Sequence, residues 1–154
     1  MTSRSFRLFS IAVCAAAVAV ASAAAPSLTP VAKPTITVYK DPSCGCCKNW
    51  IEHLKKHGYR VDAKDTPDMA QIKSTLGVPG DLRSCHTAVV EGYLIEGHVP
   101  AADIDRLLAT KPKVKGLAVP GMPMGSPGME GPTSQHYQVL AFEKTGKPKV
   151  FASY

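Results

Sequence analysis

No apolar run in this 154-residue chain suits a membrane span. The one candidate, Leu8 to Ala21, falls short of the roughly 20 residues a bilayer requires and ends in small residues instead of a charged stop. No aromatic side chains interleave with Lys111, Lys113 and Lys115, the densest basic stretch, so there is no surface on which bases could stack. That excludes nucleic-acid binding and leaves a solvated linker. There is no internal repeat and no twin-arginine pair. Val13 precedes Cys14 where a lipoprotein signal would carry Gly or Ala, so lipid anchoring is excluded as well.

What the N-terminus does contain is a cleavable export signal. Arg4 and Arg7 give a positive start, the Leu8 to Ala21 run follows, and Ala21-Ser22-Ala23 is a small-x-small cleavage site, so residues 1–23 are expected to be removed. Cleavage takes Arg4, Arg7 and Cys14 with it. Sixteen basic residues then face 12 acidic ones, a formal charge of +4, and four cysteines remain. The length suits one domain. The mature chain is expected to be exported, as a monomer with no membrane span.

Residues 24–34 carry three prolines and read as a flexible leader. Thr35 to Tyr39 is β-branched and aromatic, which predicts a strand, and Asp41-Pro42-Ser43 breaks it with Ser43 as helix cap. From Cys46 to His57 the spacing is helical, with Cys47, Trp50, Ile51 and Leu54 on one apolar stripe and Gly58 as the stop. A second strand is predicted over Tyr59 to Ala63. A short helix then runs from Met69 to Leu76, capped by Thr66 with Pro67 at its first position. Thr87 to Val90 and Tyr93 to Ile95 form a hairpin around Glu91-Gly92, and Ala101 to Ala109 is a helix.

Strand, helix, strand, helix, hairpin, helix over residues 35–110 is the order of a thioredoxin-like α/β domain. Residues 111–154 form a C-terminal extension. Its first part, 111–134, holds five prolines, five glycines and three methionines and is predicted as an extended loop. Tyr137 to Phe142 and Lys149 to Ser153 read as a final β-hairpin.

The chemistry concentrates in Cys44-Gly45-Cys46-Cys47 at the start of the first helix. Unpaired N–H groups and the positive end of the helix dipole stabilise thiolate there, and thiolate is both the nucleophile and the metal ligand. Cys44 and Cys47 have the C-x-x-C spacing of a reversible redox pair. Cys46 is a third thiol that acts either as a resolving group or as a ligand able to bridge soft metals, Cu(I) before Zn(II). Two inert staples, Cys44 with Cys47 and Cys46 with Cys85, are the alternative.

Counting outward from the Glu91-Gly92 turn sets Cys85 opposite His98. In a thioredoxin-like sheet the residues entering this hairpin lie beside the active cysteines, with a cis-proline ahead of a Thr. Here His86 stands in the proline's place ahead of Thr87, which removes a peptide-docking surface and adds donors. His98 is a ligand or supports one. His53 and His57 lie at i and i+4 on one helix face, where a metal pair is the alternative to the expected solvent-facing placement, and about 10 Å of helix between Cys46 and His53 keeps them out of the thiol cluster. Met122, Met124 and Met129 offer thioethers on a broken backbone, a soft donor set for Cu(I). An iron–sulfur cluster is set aside because export of an unfolded chain would separate it from cytosolic assembly.

Three motifs in order carry a family resemblance: Cys44-Gly45-Cys46-Cys47 after a strand, Tyr93-x-x-Glu96-Gly97-His98-Val99-Pro100, and Gly116-Leu117-Ala118-Val119-Pro120-Gly121-Met122-Pro123-x-Gly125-Ser126-Pro127-Gly128-Met129. Together they resemble the CopG family of Gram-negative copper-resistance proteins. The resemblance implies a periplasmic thioredoxin-like domain whose extension helps bind copper, a sulfur-bridged multicopper cluster beside the C-x-C-C motif, and interconversion of Cu(I) and Cu(II). Carried over, Cys44, Cys46 and Cys47 are the cluster thiolates, Cys85 and His98 approach from the hairpin, and the methionines close the site. The activities to separate are a copper-dependent oxidoreductase, a thiol-disulfide oxidoreductase using Cys44 and Cys47, and a redox-inert chaperone for a periplasmic efflux partner.

Overall fold

A computed structural model describes residues 32–154. The expected signal peptide, and all but the last residues of the leader, lie outside the described residues. Among those described, no helix is long and apolar enough to cross a membrane.

The described residues form a mixed α/β fold with three α-helices and one seven-stranded sheet. Strand β1 (Thr35–Lys40) leads into helix α1 (Gly45–Lys56), then β2 (Arg60–Asp65) and α2 (Met69–Leu76). A single 3₁₀ turn, Gly80–Leu82, precedes β3 (Thr87–Val90) and β4 (Tyr93–Glu96). Helix α3 (Ala101–Thr110) follows, and β5 (Gly116–Ala118), β6 (Gln138–Phe142) and β7 (Lys149–Ser153) complete the order. Across the sheet the strands run β2-β1-β3-β4-β5-β6-β7. The β1–β2 and β4–β5 pairs are parallel and the rest antiparallel.

The α1 stripe is buried as its spacing requires: Trp50, Leu54 and Cys47 are fully enclosed, against Ile36 and Val38 of β1, Ile95 of β4 and Ile104 and Leu107 of α3. The β3–β4 turn has left-handed backbone at both Glu91 and Gly92, the conformation a two-residue hairpin needs to match strand twist. Its register pairs Val90 with Tyr93 and Thr87 with Glu96.

Three local expectations are corrected. Ser43 does not cap α1, because its N–H and hydroxyl both go to the Asp41 carboxylate in a local turn. Cys44 caps it instead, its sulfur accepting from Cys47 N at 3.3 Å. Asp68, not Thr66, caps α2 by accepting from Gln71 N, while Thr66 receives the Asp68 N–H.

The third correction lies in the extension. Residues 111–134 are not all loop, since Gly116–Ala118 form β5 between β4 and β6. Gly116 allows this because a Cβ there would fall 2.0 Å from the Leu94 carbonyl oxygen. Three residues are too few for a periodicity signal, and the surrounding Gly and Pro hide them. Leu117 is fully buried, so Leu117→Ala is expected to lower the unfolding free energy by about 2–5 kcal/mol, read from the denaturant midpoint. A loss within about 0.5 kcal/mol would be that of an exposed loop residue.

Candidate metal centre

Capping by Cys44 puts the first sulfur at the N-terminus of α1, and Cys46 and Cys47 follow in the first turn of the same helix. Cys44 and Cys47 are joined by a disulfide, and Cys46 and Cys85 are free thiols. Cys46 Sγ lies 3.5 Å from Cys44 Sγ and 3.9 Å from Cys85 Sγ, so the two-staple pairing is not formed. Cys47 is buried, while Cys44 and Cys46 are part-exposed at the mouth.

Beyond β3 and β4 the hairpin continues as Gly97 N donates to the His86 carbonyl, which carries Cys85 and His98 into opposition. Cys85 Sγ lies 3.0 Å from His98 Nε2 and 3.2 Å from His86 Nδ1. His98 Nδ1 donates to the Pro127 carbonyl at 2.7 Å, and that assignment leaves Nε2 as a bare acceptor facing the Cys85 thiol. His86 is fully enclosed, its ring 4.3 Å from Trp50 and 5.1 Å from His98. Its Nε2 is the one buried side-chain polar atom without a hydrogen-bond partner among the described residues.

Six predicted site residues are therefore brought together in two overlapping sets. Cys44, Cys46, Cys47 and Cys85 form one, and Cys85, His86 and His98 the other, with the ligand atoms of each within 4.8 Å of one another. Cys85 belongs to both. Burial, then the neighbouring Cys46, pushes the Cys85 thiol up to about 12, so in the metal-free protein it is protonated and donates to His98. Burial also holds both imidazoles below the ordinary histidine range, His86 well below, aided there by His98 and Lys73. Neutral imidazole is the form that binds a metal.

The methionines sit on the arm that closes over this cluster. Met122 is half exposed, Met124 rests its methyl against Gly131, and Met129 donates its N–H to Ser126 in a tight turn. Contact with the centre runs through residues the sequence reading missed. One is the Pro127 carbonyl on His98. Another is Gly128, where a Cβ would fall 2.7 Å from Trp50 N and 2.8 Å from Cys46 O. The Pro-Gly pair inside a Met-rich run was the available signal. A surface cleft of about 630 Å3 lined by Pro123, Tyr137 and Tyr154 contains none of these groups.

His53 departs from expectation. It is half-buried, and its Nε2 accepts from Ala101 N at the start of α3, while His57 stays exposed beside it.

The comparisons with known proteins agree with this chemistry. A family described as protein of unknown function, DUF411, matches residues 82–129. Two solved structures, forms 1 and 2 of a copper resistance protein CopG, are each 48% identical with a TM-score of 0.75. The match covers 79% of this chain and 98% of theirs. The chain belongs to the CopG family. No curated protein matches it significantly. In this CopG-family chain the Cys-rich residues 44–47 are thus part of a cluster able to bind metal, and its relatives are copper resistance proteins.

One consequence is a pH profile. His53, His86 and His98 all have folded-state values lowered from 6.5, first by burial, so the unfolded chain takes up protons before the folded one does. The metal-free protein is expected to hold its full stability from pH 6.5 up to about 9, above which the raised Cys85 thiol begins to count against the folded state. It then loses stability as pH falls from 6.5 toward the carboxylate range, measured as a falling urea midpoint. A flat profile through that window would contradict three neutral histidines.

Proposed function

We propose that this protein binds copper on the Cys44, Cys46, Cys47, Cys85, His86 and His98 cluster and interconverts Cu(I) and Cu(II) in periplasmic copper resistance. The observation that carries the reading is the double membership of Cys85. One set offers sulfur alone, which suits Cu(I); the other adds two imidazoles, a thiolate–imidazole combination used by copper in electron transfer. Copper is the cargo and the redox substrate.

The residues fit that cargo. His86 Nδ1 and His98 Nε2 both face Cys85, and the soft sulfurs are gathered at a helix N-terminus. The electron balance is simple. Reducing the Cys44–Cys47 disulfide to two thiols takes two electrons and two protons, and oxidation of two cuprous ions supplies the electrons. The reverse direction regenerates the disulfide. Met122, Met124 and Met129 serve as further soft donors on the arm. We read residues 35–110 as a thioredoxin-like domain on its order of elements, and residues 1–23 as the export signal.

The Cys44–Cys47 disulfide also favours a second reading, thiol-disulfide exchange with exported proteins. The two are separated by adding Cu(II) to the reduced mature chain without oxygen. Retained copper is measured by elemental analysis, Cu(I) by a chromophoric chelator after denaturation, and free thiols by titration. The expected result is retained copper with two thiols lost for every two cuprous ions formed. Absence of retained copper would sink the copper reading. Copper held with no change of oxidation state identifies a redox-inert chaperone, and exchange activity that survives Cys46→Ser and copper removal identifies the oxidoreductase.

A further inference from the structure

Directly behind the cluster lies a buried ion pair that the metal chemistry does not use. Glu96 is fully enclosed and Lys73 nearly so. One Glu96 oxygen, Oε1, accepts from Lys73 Nζ at 2.6 Å and from Ser84 N at 2.6 Å. The other, Oε2, accepts from the Thr87 hydroxyl at 2.6 Å, and Lys73 Nζ donates to that same hydroxyl at 2.9 Å. Ser84 and Thr87 flank Cys85-His86 in the chain, and Glu96 precedes Gly97-His98.

The same residue reaches the arm. The Glu96 carbonyl accepts from Val119 N, and Ser84 Oγ donates to the Gly121 carbonyl. The three segments meet at Gly97, where a Cβ would fall 2.6 Å from both Ser84 Oγ and Val119 O. The Glu96 carboxylate thus ties the Cys85-His86 segment to the His98 segment, while the Glu96 backbone carbonyl and the Ser84 hydroxyl hold the root of the methionine arm. A buried ion pair is weak evidence for stability, because apolar replacements of similar size are often neutral or better. Its hydrogen bonds instead fix position.

We propose that Glu96 is a positioning residue that sets Cys85 and His86 against His98, and so builds the thiolate–imidazole half of the metal site. This rests on the copper-binding reading above. Three chains test it: the parent, Lys73→Met/Glu96→Gln, which removes both buried charges at similar volume, and Glu96→Asp, which keeps the charge but shortens its reach. Val139→Ala, in the core on β6, serves as a control for general destabilisation.

Two readouts are taken on each folded protein. Histidine nitrogen NMR of the metal-free chain reports whether His98 Nε2 still accepts from Cys85, and competition with a chromophoric chelator reports Cu(I) affinity. The expected result is loss of the His98 signature in both Glu96 variants, with affinity about 10–100-fold weaker, as for other residues that orient ligands. Val139→Ala should leave both readouts unchanged. Should the double variant not fold, Glu96→Asp alone decides. A folded Glu96 variant with the parent's His98 signature and affinity would overturn the proposal. Failure of the parent to bind copper, with the His98 signature still lost in the variants, would defeat the copper reading and leave the positioning role standing.

Discussion

Everything at the candidate metal centre depends on where one sulfur sits. Cys85 Sγ lies within 4 Å of Cys46 Sγ, His86 Nδ1 and His98 Nε2, and among the described residues Cys85 is the residue that the sulfur set and the imidazole set share. Move that atom by the reach of one side chain and the cluster becomes a C-x-x-C pair with two unrelated histidines. The chain fixes it from two directions. Helix α1 brings Cys46 from one side, and the mouth of the β3–β4 hairpin brings Cys85 and His98 from the other.

The hairpin can do this because its register is tightly specified. A two-residue turn with left-handed backbone at Glu91 and Gly92 admits one pairing, and a slip by one residue would exchange the side chains of β3 and β4 between the two buried faces of the sheet. The extension then completes the site from above. Strand β5 docks parallel to β4, its end is held by the Glu96 carbonyl, and the arm returns so that Pro127 orients His98 and Gly128 packs on α1. The extension is therefore structural to the centre, whatever its methionines bind.

Much of this was legible in the sequence because it is local. The α1 stripe, the hairpin turn and the opposition of Cys85 and His98 follow from periodicity and from counting outward from a known turn type. What was not legible depends on competition or on distance. Ser43 was the better cap by residue type, yet the Asp41 carboxylate claims it first and hands the role to Cys44. Strand β5 is three residues long and looks like loop until β4 and β6 supply its partners. His53, placed on the solvent side by helix spacing, meets the start of α3 some 48 residues later in the chain. Glu96 reads as an ordinary strand-end glutamate, and only the fold shows Lys73 reaching it from α2.

The central claim is that sulfur and imidazole donors converge on copper through Cys85. Copper-edge X-ray absorption on the copper-loaded mature protein tests it most directly. The account predicts a first shell dominated by sulfur, together with the outer-shell scattering of imidazole, and loss of that imidazole signature in Cys85→Ser. A first shell of nitrogen and oxygen alone, or a spectrum unchanged by Cys85→Ser, would contradict it.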